Sequence, residues 1–265
     1  MIDKIRSIPQ KNVILVTGSP GAGKTTFCQQ VALQNLAADS KVIYATTEST
    51  SKDLLTQFRQ RGWNQTETDP FKIVDAYTQT VGLYCSSQSG VICAHCADLN
   101  SISMGVTKLQ TRLQDSNILL VFDSLTSPYL FNGLSVIRFI QQFLSKFAQE
   151  GNRVLVTIDE GCGKPEDLGA IKSICDGIIH IDIQGKQQTF QVIKHPQIAP
   201  TMLTQLLPQK FQAESMLEEF MDSKFIRMYM RSLFAGKTSF RPRLGDYVNA
   251  FWPKLAYWSG MLWDP

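Results

Sequence analysis

Nowhere does this sequence run to about 18 consecutive apolar residues, so no segment is expected to span a membrane. The opening stretch MIDKIRSIPQKN has no apolar core of the kind that directs export, and cytoplasmic residence is expected. Charge imbalance is small: 26 Lys+Arg against 23 Asp+Glu leave a net +3, too little for whole-chain attraction to a polyanion. Nucleic-acid binding would need a local patch. Cysteine is sparse and irregularly spaced (Cys28, Cys85, Cys93, Cys96, Cys162, Cys175), which speaks against a secreted disulfide framework and predicts mostly reduced thiols. Internal repeats and low-complexity stretches are missing as well.

What the chain does have is core-forming material. A hydrophobic content of 43% over 265 residues is enough for one large α/β domain with a modest appendage. Short apolar runs alternate with helical patterns. KNVILVTG, KVIYATTE, FKIVDAY, NILLVFDS and RVLVTID read as buried strands. TTFCQQVALQNLAAD, SKDLLTQFRQRG, Asn100–Gln114 and Gly133–Glu150 read as helices, the last closed by Gly151. GIIHIDIQGKQQTFQVIK reads as two strands around a tight Gln-Gly-Lys turn. Such alternation implies an α/β fold with a mostly parallel twisted sheet flanked by helices and an antiparallel C-terminal hairpin. Residues 79–97 are the least regular part. The composition shifts near Pro208, giving an expected core domain over 1–208 and an extension over 209–265, helical from Phe211 to Phe234 and then aromatic.

The sharpest signal is Gly18-Ser19-Pro20-Gly21-Ala22-Gly23-Lys24-Thr25, which matches the phosphate-loop pattern G-x-x-x-x-G-K-[ST] between a strand and a helix. Glycines let the backbone wrap closely enough to aim several N–H groups at phosphate oxygens, and the helix that starts there adds the positive end of its dipole. Lys24 is expected to bridge the β- and γ-phosphates, Thr25 to ligate Mg²⁺ and Thr26 to contact the α-phosphate. Such a site also needs a carboxylate at a neighbouring strand end to hold the magnesium's water shell; Asp123, closing Ile118–Phe122, stands there. Hydrolysis needs a group that orients or deprotonates water. Glu48, at the end of the strand after the phosphate-loop helix, is the candidate. Each acid also has a plainer reading, Asp123 as a turn or helix cap and Glu48 as a solvated loop carboxylate or a cap before SKDLL.

Together these residues resemble the RecA/RadA superfamily of ATPases, most closely its KaiC-like branch. The similarity rests on GSPGAGKTT, ATTESTSKDLL with RGW after it, FKIVDAY, LVFDSLTS, LVTIDE, and CDGIIHI followed by a strand ending in QVIK, in family order over about residues 8–200. The resemblance implies a RecA-like phosphate-loop fold, ATP bound with Mg²⁺ at subunit borders, and hexameric rings or filaments. It carries over Lys24, Thr25 and Asp123 directly. It matches Glu48 to the first of two glutamates, the second being Ser49 here. It gives Asp159 the polar position that senses the γ-phosphate, usually Glu or Gln. It matches Lys194 to a basic finger sent into a neighbour's nucleotide, with Pro196 where an Arg is common and His195 between them; an exposed strand-end lysine is the plain alternative.

Cys93-Ala-His-Cys96 with Cys85 raises a zinc reading, but a structural site needs four ligands and only one CxxC-type pair is present. An ordinary thiol-bearing loop is the leading expectation, with metal binding and redox pairing as alternatives; Cys28 and Cys175 read as small core residues. In the extension, seven basic residues against one acid (Asp246) from Lys224 to Lys254 interleave with aromatics including Trp252, Trp258 and Trp263. Folding back or subunit contact best accounts for those rings, because leaving them in water is costly. A protein partner, a membrane surface and single-stranded nucleic acid are the alternatives, the last not favoured. The expected function is therefore an oligomeric Mg-dependent ATPase, regulatory or motor-associated. Departures at Ser49 and Pro196 keep open a nucleotide-binding switch or scaffold with negligible turnover. A RadA-like recombination factor is a third reading, weakened because no helix-hairpin-helix domain is recognised ahead of the core. Phosphoryl transfer to the protein's own Ser or Thr is a minor fourth.

Overall fold

Three strands are buried at every position, as strands covered on both faces must be: β1 (Val13–Gly18), β2 (Val42–Thr46) and β5 (Leu119–Asp123). The computed structural model describes residues 2–63, 70–87, 90–114, 117–185 and 187–206, all within a unit spanning Met1–Leu207. With β3 (Phe71–Asp75), β4 (Val91–Cys93), β6 (Arg153–Asp159), β7 (Gly177–Gln184), β8 (Gln187–Lys194) and β9 (Thr201–Leu206), these strands form a single sheet. Its order is β4-β3-β2-β5-β6-β1-β7-β8-β9. Every pairing from β4 to β7 is parallel, whereas β7–β8 and β8–β9 are antiparallel. The sequence reading of a mostly parallel sheet with an antiparallel end is the fold observed.

Side chains alternate across the strands, so each strand supplies two cores. Ile14, Val16, Val42, Tyr44, Leu119 and Val121 face α2 (Lys24–Ala37) and α3 (Ser51–Gln60), which contribute Phe27, Val31, Leu54 and Phe58. Ile5 of the short α1 (Ile2–Arg6) joins the same cluster. The other face sets Val13, Leu15, Ile43, Ala45, Leu120 and Phe122 against α4 (Leu99–Leu113) and the helices after β5. Within the first core, Phe58 stacks on Phe71 at 4.6 Å and Tyr44 meets both edge-on at 5.9 and 6.4 Å. Each such pair is worth about 0.5–1.5 kcal/mol beyond the area it buries.

Several local readings need correction. The helix expected over 133–150 is composite: α5 (Thr126–Asn132) ends at Gly133, then α6 (Ser135–Phe139), a π-helical turn (Ile140–Leu144) and α7 (Ser145–Gln149) follow. The sequence reading omitted α8 (Pro165–Ile174), the crossover between β6 and β7, together with the short β4 and the edge strand β9. The irregular stretch 79–97 is not a loop of reduced thiols: Cys85 and Cys93 form a disulfide across 8 positions of sequence, while Cys28, Cys96, Cys162 and Cys175 are free. Bonded sulfurs are not thiolate ligands, so the zinc reading loses two of its three cysteines, and no group of three or more His, Cys, Asp or Glu side chains that could hold a metal occurs among the described residues. No helix among the described residues is long and apolar enough to cross a membrane. The helix expected over 211–234 and the aromatic tail lie outside the described residues, as does Lys186 of the hairpin turn.

Candidate functional site

Parallel pairing brings chemistry-bearing strand ends into one row. Gly18 lies beside Asp159 across β1–β6, and Thr46 lies beside Asp123 across β2–β5. Between β1 and α2 the chain makes the loop 18–24, where Gly21 (φ 81°) and Gly23 (φ 89°) adopt left-handed backbone that only glycine enters freely. Gly23 is also the N-cap of α2, and no side chain caps that end, so the first amides of α2 keep their donors for an external acceptor. A Cβ on Gly21 would meet nothing within 4 Å, so the loop borders open space on that side.

Lys24 is buried, and a buried ammonium must have partners. Its Nζ donates to the carbonyls of Gly18 (3.1 Å) and Ser19 (2.7 Å) and pairs with Asp159 Oδ1 at 2.5 Å. Ser19, Pro20 and Gly21 are exposed, Ala22 is buried, and Thr25 and Thr26 are half-buried on the first turn of α2. Thr25 Oγ1 donates to Asp123 Oδ1 at 3.3 Å.

Asp123 is only 3% exposed and accepts two further hydroxyls, Tyr44 on Oδ2 at 2.8 Å and Thr157 on Oδ1 at 2.9 Å. Burial holds its carboxyl above the ordinary range; the three hydroxyls and the Lys24 charge oppose that shift without cancelling it. A deprotonated carboxylate in so dry a place calls for a cation. Together with the Thr25 hydroxyl it makes an all-oxygen donor set of the kind that suits a hard divalent ion such as Mg²⁺.

Glu48 follows β2 and accepts a short hydrogen bond from Ser124 Oγ. Its carboxyl is also raised, first by burial and then by the Asp123 and Asp159 charges, against the lowering effect of Ser124 and Lys24. The peptide between Asp123 and Ser124 is cis. Threonines lace these strand ends together: Thr47 Oγ1 donates to Ser124 O (2.7 Å) and accepts from Ser124 N (2.9 Å), and Thr126 Oγ1 accepts from Asp159 N (2.9 Å). Ser49 turns back on β2, its Oγ 3.1 Å from Thr46 Oγ1.

The structure thus brings Lys24, Thr25, Asp123, Glu48 and Asp159 to one sheet end. It does not bring Lys194 there. Antiparallel pairing sets Lys194 opposite Ile178, near the amino end of β1, and its Nζ donates to Cys175 O at 2.8 Å. Burial lowers the His195 pKa, so this ring carries charge only in more acid solution than usual. The residues the sequence reading missed are Tyr44, Ser124 and Thr157. Tyr44 and Thr157 were discernible as hydroxyls interrupting VIYAT and RVLVTID, since a buried hydroxyl needs a partner; Ser124 lay inside the quoted LVFDSLTS.

Residues 1–199 match the family described as ATPase: KaiC. The chain is 28% identical over 189 residues to a UPF0273 protein of Thermotoga maritima, an alignment spanning 66% of this chain and 73% of that one. It is 29% identical over 185 residues to the UPF0273 protein PH0284 of Pyrococcus horikoshii, spanning 66% and 72%. Among solved structures, the KaiC-like protein PH0186 of Pyrococcus horikoshii OT3 superimposes with a TM-score of 0.59 at 19% identity, covering 78% of this chain and 89% of that chain, a likeness of fold.

Proposed function

Because the chain belongs to the KaiC family of ATPases, we propose that it binds ATP together with Mg²⁺ in the loop 18–26 and hydrolyses it slowly, as an oligomeric regulatory or motor-associated unit. The observation that carries this reading is the Lys24 ammonium, enclosed by its own loop beside the Thr25–Asp123 pair and the Glu48 carboxyl. In the proposed complex, backbone amides from Gly21 to Thr25 bind the phosphates, and Lys24 exchanges its carbonyl and carboxylate partners for phosphate oxygens. Thr25 and Asp123 hold the magnesium, which when bound supplies charge neutralisation of the transferring phosphoryl group. Glu48 accepts a proton from the attacking water as that water's oxygen bonds to the γ-phosphorus and the bond to the ADP oxygen breaks. Asp159, released from Lys24, is left hydrogen-bonded through its backbone to Thr126 and becomes the group that registers the γ-phosphate. Lys194 lies too far along the sheet to serve its own loop, which fits a role toward another copy's nucleotide.

A second reading, a nucleotide switch with negligible turnover, is favoured by one contact: Ser124 Oγ engages Oε1 of the Glu48 carboxyl and competes for it with an attacking water. Calorimetry with Mg-ATP on wild type and Lys24→Ala, phosphate release from the same samples, and chromatographic mass with and without nucleotide separate the readings. Binding that Lys24→Ala abolishes, with release that Glu48→Gln abolishes, supports the ATPase. Binding and assembly without release favour the switch. No heat with either ATP or ADP overturns both.

A further inference from the structure

The inward side of β8 is apolar at Phe190 and Val192 but carries an amide at Gln188, which is 6% exposed. A buried amide is tolerated only where both its ends find partners. Here Nε2 donates to the carbonyl of Ala22, inside the phosphate loop, at 2.8 Å, and Oε1 accepts from Gln205 Nε2 of β9 at 2.8 Å. The amide lies directly against the loop: a Cβ on Gly23 would come within 2.5 Å of Gln188 Nε2. A chain of two side-chain amides therefore runs from the edge strand, through β8, to the peptide joining Ala22 and Gly23. Its position follows from register, because Gln188 pairs with Ile183 beyond the carboxyl end of β1, at the end of the sheet opposite Lys194.

We propose that Gln188 is a positioning residue for nucleotide binding, and that Gln205 orients it. The proposal rests on reading loop 18–26 as a phosphate cradle. In a trans peptide the C=O and the following N–H point in opposite directions. Drawing the Ala22 carbonyl toward β8 fixes that peptide plane and turns the Gly23 N–H away from β8. Gly21 and Gly23 are the loosest backbone of the loop, so an anchor between them removes freedom that a ligand would otherwise have to freeze. Lys24 ties the loop from inside, through Gly18 and Ser19; Gln188 ties it from outside. The signature G-x-x-x-x-G-K-[ST] contains nothing that supplies this outer tie.

The test is calorimetric titration of the full chain with Mg-ATP, comparing wild type, Gln188→Ala, Gln188→Glu and Gln205→Ala across a pH series. Loss of one hydrogen bond with its pre-ordering should raise the Kd of Gln188→Ala about tenfold, and that of Gln205→Ala by less. Gln188→Glu supplies the discriminating readout. An ionised carboxyl has no proton to give Ala22, so binding is weak near neutrality; protonation restores an O–H donor, so affinity relative to wild type at the same pH rises as pH falls. A merely structural role would move melting temperature but give no such recovery. Gln205→Ala, altered on the half-exposed edge strand, keeps the test alive if the β8 variants fail to fold. Wild-type binding with all variants unaltered, or with a Gln188→Glu profile parallel to wild type, overturns the proposal alone. Failure of wild type to bind overturns the cradle reading, and this proposal with it.

Discussion

Removing the Tyr44 hydroxyl, by Tyr44→Phe, isolates what supports the Asp123 carboxylate. The ring stays, so its edge-on contacts with Phe58 and Phe71 are kept and no cavity opens. What disappears is the 2.8 Å donor to Asp123 Oδ2, in a site where water does not replace it. A hydrogen bond to a charged group contributes about 1.5–3 kcal/mol. For a folded unit of this size, ~2 kcal/mol corresponds to a fall of about 4–8 °C in melting temperature. The effect depends on pH in a defined sense. Burial already holds Asp123 above its ordinary value of 3.8, and losing a donor that opposes the shift moves it higher. A carboxyl raised in the folded state favours folding when protonated. The deficit is therefore largest at pH above the folded pKa and shrinks as pH falls through it toward the ordinary value. Melting followed by circular dichroism across a pH series, with Mg-ATP titration alongside, reads both effects; binding should weaken because a larger share of Asp123 is protonated. Unchanged melting at neutral pH, or a deficit that grows in acid, refutes the reasoning.

Gly23→Ala should cost about 1–3 kcal/mol in urea unfolding, because a Cβ at φ 89° is strained, and should weaken ATP binding measured in the same preparation. Burial raises the Glu48 carboxyl above the ordinary value of 4.5, so the acid limb of the wild-type phosphate-release profile should begin above that value, and a limb at or below it would refute Glu48 as the base. Alkylation of the denatured, unreduced chain followed by mass spectrometry should label four cysteines, and all six after reduction; six before reduction would remove the Cys85–Cys93 bond.

The parallel core was legible because burial on both faces forces near-continuous apolar runs, and VILV, VIYA and ILLVF have no other economical use. The loop 18–25 was legible because its glycines and lysine occupy fixed positions within a single turn of chain. The exposed edge is a different matter. β9 reads TMLTQL, a weak pattern whose role comes from pairing with β8, and the three-residue β4 is too short to carry any period. Asp123 and Glu48 stood at recognisable strand ends, but the partners that set their protonation, Tyr44, Thr157 and Ser124, come together only through the order β2-β5-β6. Gln188 had no sequence signal at all: one glutamine among four from Gln184 to Gln191 would look the same on either face. Cys85 and Cys93 pair across eight positions of sequence, a partnership that the spacing CAHC does not suggest.

The Lys24–Asp159 contact has a consequence for which solutes the loop admits. Because the Lys24 charge is already matched by an internal carboxylate, phosphate entry in the proposed binding mode is an exchange of one anion for another. A lone sulfate or orthophosphate gains one charge contact and must displace an equivalent one, leaving little net driving force. A chain of phosphates gains more, since its remaining oxygens reach amides that the carboxylate never touched. In the proposed binding mode Asp159 therefore sets a threshold that favours linked phosphates over a single one.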